Sequence, residues 1–137
     1  MKYFTPFFLF LLLIVASCQS DKGSNQNSSS TGVAVVNLSP QEFKKLGGTG
    51  NILDVRTPGE IAQGKIEGAI EIDYYQADFQ KKVAELPKDE PVLLYCAVGA
   101  RSREAAEQLV EMGFTNVYHL QGGIQAWYQQ GLPIVRE

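Results

Sequence analysis

Histidine occurs once in this 137-residue chain and cysteine twice, and no apolar run reaches the length of a membrane-spanning helix. One histidine with two cysteines leaves no second histidine or spare thiol to complete a zinc-type site, so no metal is expected. The charge balance is equally restrictive. Twelve Lys and Arg against 15 Asp and Glu leave −3, without the basic excess that attracts a phosphate backbone, so no nucleic acid partner is expected. The longest apolar stretch, Phe7–Ala16, is short of the about 20 residues a helical span needs. It follows the basic Lys2, and a basic start with a short apolar middle has the form of a secretory signal rather than of a folded element.

That segment ends in "VASC", Val15–Cys18, which resembles a bacterial lipobox: a branched aliphatic residue, two small residues, and the cysteine that is lipidated. The resemblance implies that residues 1–17 are a lipoprotein signal, that Cys18 is the lipidation site, and that the mature protein is exported and anchored in the bacterial cell envelope. Gln19 rather than aspartate after the cysteine points to the outer membrane. Gln19–Gly32 holds five serines and no aliphatic or aromatic residue. Such a segment cannot bury enough apolar surface to order itself, and its random-coil reach is roughly 20 Å. Residues 18–32 are therefore expected to tether a domain at 33–137 to a membrane.

Beyond the tether, β-rich runs alternate with helical patterns. Val33–Leu38, Asn51–Val55, Ala69–Ile72, Pro91–Tyr95 and Asn116–Leu120 read as strands. Between them, "SPQEFKKL" has Ser39 as N-cap and Pro40 at the first helical position, and "YQADFQKKVAEL", "SREAAEQLVEMG" and "IQAWYQQG" follow. Alternation of this kind predicts an α/β domain with a mainly parallel sheet. The uninterrupted apolar run Val92–Tyr95 suits a central strand covered on both faces, and Cys96 falls just beyond its carboxyl end, where open α/β sheets place their functional crevice.

With Cys18 lipidated, Cys96 has no partner for an internal disulfide. The helix after it sets Ala105, Ala106, Leu109 and Met112 on one side and stops at Gly113, a natural C-cap residue. Its start is expected at Arg101 or Ser102, so the loop Cys96–Arg101 enters a helix N-terminus whose N–H groups lack partners. Those groups, the helix dipole and the nearby Arg101 and Arg103 all favour a thiolate. The side chains of Ala97, Val98, Gly99 and Ala100 are small enough for the backbone to close around one sulfur. A free cysteine at a strand end is also an ordinary small core residue, and the loop alone leaves both readings open.

Taken together, "LDVRTPGEIAQGKIEGAIEI", "YCAVGARS" and "GFTNVYHLQGGIQAW" resemble a single-domain rhodanese, a sulfurtransferase, in order from about Val35 to Val135. The resemblance implies a five-stranded, mainly parallel α/β sheet flanked by helices, with no cofactor. It implies that Cys96 takes up sulfane sulfur as a persulfide and that Ala97, Val98, Gly99, Ala100 and Arg101 form the loop that cradles it. Arg101 would attract an anionic donor such as thiosulfate. Asp54 and Arg56 match the family's Asp-x-Arg with Glu60 at its acidic position, and these, with Ser102, are read as supporting residues. Trp127 reads as packing, and Gly122 and Gly123 as a tight turn. His119 reads as a satisfied histidine near a sheet end rather than a general base.

Lys65 stands where a histidine is common in the family and Ile61 where an aromatic is usual. The apolar Ala97, Val98 and Ala100 stand where many thiosulfate-using relatives carry basic or polar side chains, so thiosulfate is expected to be a poor donor. The partners implied are a small sulfur donor and a thiol or cyanide acceptor, with a protein acceptor as a further candidate. Competing readings are a non-enzymatic persulfide carrier, a partner-binding module, and a phosphatase or arsenate reductase. The last pair place five residues between cysteine and arginine, against four between Cys96 and Arg101.

Overall fold

The computed structural model describes residues 32–136. The expectations for the signal, the lipidated Cys18 and nearly all of the tether lie outside them. Among the described residues no helix is long and apolar enough to cross a membrane. The elements are β1 (Val36–Leu38), α1 (Pro40–Gly47), β2 (Asn51–Asp54), α2 (Pro58–Ile61), β3 (Ile70–Glu71), α3 (Phe79–Val83), β4 (Val92–Tyr95), α4 (Ala100–Glu111), β5 (Val117–Leu120) and α5 (Gly123–Gln129).

The five strands form one sheet in the order β1-β5-β4-β2-β3, and every pairing in it is parallel. β4 is central and all four of its residues are buried, which is why its sequence is continuously apolar. Successive side chains of a strand point to opposite faces. Val92 and Leu94 pack with Phe79 and Val83 of α3 and Ala105, Ala106 and Leu109 of α4. Leu93 and Tyr95 pack on the other face with Phe43 of α1 and Trp127 of α5. Cys96 keeps the parity of Val92 and Leu94 and joins the α3/α4 side of the core.

The local signals act as their chemistry predicts, with three adjustments. Ser39 and Glu42 form a reciprocal capping box with Pro40 in the first turn of α1. The edge strands are shorter than expected, β3 having two residues and β1 three. Helix α3 starts at Phe79 rather than near Tyr75, because Asp73 turns the chain first: its carboxylate accepts from Tyr75 N–H at 3.0 Å and its carbonyl from Gln76 N–H at 3.2 Å. Helix α4 begins at Ala100, earlier than the expected Arg101 or Ser102, with Gly99 at φ 107° as its N-cap.

Candidate active site

Cys96 sits where β4 ends and α4 begins, and it is 1% exposed. Its Sγ accepts a hydrogen bond from Gly99 N–H at 3.1 Å, and Ser102 Oγ lies 3.5 Å away. Burial alone would push this thiol up. The Ser102 hydroxyl and the N–H groups of Ser102, Gly99 and Val98 outweigh it and hold the thiol below its ordinary value. The sulfur thus lies in a nest of backbone donors at the N-terminus of a 12-residue helix.

The nest is held open from outside. Helix α5 donates from Ile124 N–H to the Cys96 carbonyl at 2.8 Å and from Gln125 N–H to the Ala97 carbonyl at 3.1 Å. A trans peptide is planar, so drawing the Ala97 carbonyl outward turns the Val98 N–H inward to the sulfur. This docking brings α5 so close that a Cβ on Gly123, at φ +61°, would lie 2.5 Å from the Cys96 carbonyl oxygen and 2.6 Å from that of Ala97. His119 holds the other end of the loop. Its Nε2 is 2.9 Å from the Gly99 carbonyl, which can only accept, so Nε2 carries the proton. Its Nδ1 lies 3.1 Å from Asn37 Oδ1, and burial first, then Arg103, keep the ring below its ordinary pKa. Through Nε2 the histidine steadies a loop carbonyl.

Asp54 and Arg56 form the buried support that the sequence suggests. Arg56 Nε lies 2.9 Å from Asp54 Oδ1 and Nη2 lies 2.6 Å from Oδ2, while Nη2 also donates to the Gly64 carbonyl at 2.8 Å. Burial works against the guanidinium, but Asp54 overrides it and keeps the cation firmly protonated. The pair packs beside Tyr95, whose hydroxyl accepts from Ile66 N–H at 3.1 Å. Trp127 is packing, edge-on to Phe43 with centroids 6.2 Å apart, and its Nε1 donates to the Pro133 carbonyl at 2.9 Å.

Glu60 meets Arg56 through its backbone carbonyl, at 3.3 Å from Nη1, and turns its carboxylate elsewhere. Its carboxylate reaches back to Thr57, accepting from N–H at 3.0 Å and from the hydroxyl at 2.9 Å, the return half of a capping box at α2. The same carboxylate grips Arg101, with Nη1 at 2.8 Å from Oε2 and Nη2 at 2.5 Å from Oε1. Arg101, foremost, and the Thr57 donors bring the Glu60 carboxyl down to about 2. The Arg101 guanidinium also lies over the Tyr75 ring, 5.4 Å from its centroid. Arg103 points elsewhere, to Glu107 at 2.7 Å and Asn37 at 3.2 Å. An open cleft of about 820 Å³ adjoins the loop, with Val98, Ile124, Tyr128 and Ile134 on its walls and Glu60 at its edge. Val98 is 60% exposed there.

The family model for the rhodanese-like domain matches residues 39–130 of this chain, from the first helix cap to the end of α5. The chain belongs to the rhodanese-like domain family. A sulfurtransferase of Allochromatium vinosum is 44% identical over 84 residues, which cover 61% of this chain and 77% of that protein. The thiosulfate sulfurtransferase GlpE of Pseudomonas aeruginosa is 34% identical over 92 residues, covering 66% of this chain and 81% of that one. Among solved structures, a rhodanese-related protein of Thermoplasma volcanium superposes with a TM-score of 0.68 at 31% identity, covering 74% of this chain and 99% of that one. The fold is rhodanese-like, and the relatives' names support sulfurtransferase activity in general terms.

Two contributors to this rhodanese-like site were absent from the sequence-based expectations. The short helix α2 carries the signature in "TPGE", the same Ser/Thr-x-x-Glu spacing as "SPQE" at α1, masked by a Pro-Gly pair that reads as a turn. The backbone docking of α5 on the loop carbonyls has no side-chain pattern beyond the two glycines that permit it.

Proposed function

We propose that this chain is a sulfurtransferase that carries sulfane sulfur on Cys96 as a persulfide, taking it from a low-molecular-weight persulfide and passing it to a thiol or cyanide. The supporting observation is the setting of Sγ: a free, buried sulfur with its pKa held down by the Ser102 hydroxyl and converging N–H groups rather than by a base. The Cys96 thiolate attacks the sulfane sulfur of R–S–SH. The new S–S bond forms as the old one breaks, R–S⁻ leaves with the electron pair, and Cys96–S–SH remains and loses its proton to solvent. Cyanide then takes the outer sulfur as thiocyanate and returns the thiolate. The same donors that hold the thiolate suit the persulfide anion.

The loop supports a persulfide donor over thiosulfate. Ala97, Val98 and Ala100 offer a dianion only backbone amides, and each charged hydrogen bond forgone is worth on the order of 1.5–3 kcal/mol. An organic persulfide can instead lay its apolar body against Val98 and the neighbouring wall of Ile124 and Tyr128. The name of the Pseudomonas relative makes thiosulfate the donor of that protein, so the comparison of donors is a direct test here. Four residues between Cys96 and Arg101, with the guanidinium turned to Glu60, suit a single sulfur better than a tetrahedral phosphate. We extend the proposal to the N-terminus on sequence alone: a lipid on Cys18 holds the domain in the cell envelope.

The experiment is intact-mass measurement after exposure to a sulfane donor. Wild type should gain about 32 Da per transferred sulfur and Cys96→Ala none. Equal gain in both removes Cys96 from the reaction.

A further inference from the structure

Arg56 is closed by Asp54 and two carbonyls, Arg103 by Glu107 and Asn37, and Arg136 donates from Nε to the Gln63 carbonyl at 3.0 Å. Arg101, at the end of the loop, turns the fork of its two terminal nitrogens to Glu60, which lines the cleft. A guanidinium presents a planar fork whose two parallel N–H groups match one carboxylate or one oxyanion. With Glu60 in the fork and Tyr75 on the face, an incoming anion finds that edge taken.

We propose that Glu60 is the specificity-determining residue of this site: its carboxylate occupies the Arg101 fork in place of the donor's charge and so selects against anionic sulfur donors such as thiosulfate. The proposal rests on the sulfurtransferase reading above and names its substrate class. Glu60 acts through Arg101 and is a positioning residue, not a catalytic one.

Two features separate this role from helix capping. Thr57 donates both of its bonds to Oε2, which also takes Arg101 Nη1, whereas Oε1 accepts from Arg101 and not from the cap. The ion pair also spans 41 residues of sequence, which local capping does not require. With its carboxyl at about 2, Glu60 stays charged throughout any assay range, so the selection does not relax on mild acidification. The pair is part-exposed, the Arg101 side chain at 17% and Glu60 at 33%, so an anion in the mouth senses the carboxylate directly.

The test is a double-mutant cycle read as KM and kcat with two donors: thiosulfate, and the persulfide of N-acetylcysteine methyl ester, whose organic part is uncharged. Glu60→Gln keeps an acceptor for Thr57 and removes the charge. It should lower KM for thiosulfate about tenfold, a modest effect for a unit charge a few ångström away in a partly solvated mouth, with kcat changed less than about twofold. KM for this persulfide, which brings no second charge, should stay within about twofold. In an Arg101→Gln background the same Glu60→Gln change should leave KM for thiosulfate unmoved. Should Glu60→Gln fail to fold, Glu60→Ala carries the same expectations. A thiosulfate KM that is unchanged or raised, an equal fall for both donors, or the same fall without Arg101 overturns the proposal. Failure of the underlying reading looks different: wild type then gains no sulfur on Cys96 from either donor.

Discussion

Replacing Gly123 by alanine should collapse the sulfur nest while leaving every side chain of that nest in place. The residue sits at φ +61°, and the added Cβ would meet the Cys96 and Ala97 carbonyl oxygens at 2.5 and 2.6 Å, contacts with backbone that no rotamer can relieve. The left-handed conformation costs an L-residue roughly 1–2 kcal/mol. Pushing α5 away stretches the Ile124 and Gln125 hydrogen bonds to those carbonyls, each worth about 1 kcal/mol. The sum is about 3 kcal/mol or more, which for a domain of this size lowers Tm by roughly 10–20 °C.

Thermal melts followed by circular dichroism measure the first effect, and the pH profile of Cys96 alkylation by iodoacetamide measures the second. Once the Ala97 carbonyl is released, the Val98 N–H turns off the sulfur and the thiol pKa rises, so the profile moves to higher pH. Gly48→Ala is the control: that glycine has an ordinary helical φ of −73° and nothing within 4 Å of its Cβ direction, so its change should stay within about 0.5 kcal/mol. A Gly123→Ala protein that melts within about 4 °C of wild type, with an unmoved alkylation profile, would refute the claim that α5 holds the loop.

Ser102→Ala removes a hydrogen bond from the thiolate and should also shift the Cys96 alkylation midpoint upward. A lowered thiol pKa contributes stability above the ordinary thiol value that is lost as pH falls through the folded one, so the urea midpoints of wild type and variant should converge on acidification. Asp54→Asn leaves Arg56 buried without its counter-charge and should destabilise the domain by about 3–5 kcal/mol in urea titration, and a smaller loss than about 1 kcal/mol would make the pair dispensable. Cys18→Ser in the full chain should move the protein from the membrane to the soluble fraction with sulfur uptake at Cys96 intact, and an unchanged fractionation would remove the lipid anchor.

What the sequence made legible was set by short-range patterns. The apolar run Val92–Tyr95 marks a strand covered on both faces, and counting two by two along it also tells which side Cys96 joins. "SPQE" announces the start of α1 because cap and return partner lie within one turn. Edge strands were overextended: β3 bonds to β2 and β1 to β5 alone, and with one partner each pairing ends sooner than apolar composition suggests. What escaped the sequence is long-range. Arg101 and Glu60 are 41 residues apart and His119 and Gly99 are 20 apart, and no local periodicity encodes either contact. The docking of α5 is written in backbone amides, which every residue but proline owns, so only the glycines that tolerate it leave a trace.

The long-range contacts nonetheless share one logic, and it bears on the chemistry. Each peptide is a rigid plane, so a carbonyl drawn outward commits its N–H to the opposite side. Gln125 draws the Ala97 carbonyl and thereby aims Val98 N–H at the sulfur, and His119 draws the Gly99 carbonyl at the mouth of α4. Anion stabilisation at the bottom of the nest therefore comes from the Ser102 hydroxyl and fixed backbone N–H groups and carries no net charge. At the rim Arg101 is paired with Glu60 and Arg56 with Asp54, and Arg136 stands on the cleft wall as a further cation. A site built so can hold one negative sulfur through short, directed hydrogen bonds, and its two ion pairs add little long-range pull on an anion, since a close pair has no net charge. On the proposed role of Glu60, each further negative charge on the donor adds a contest with that carboxylate on arrival. On that reading a donor whose single negative charge sits on the transferred sulfur brings no second charge to the contest.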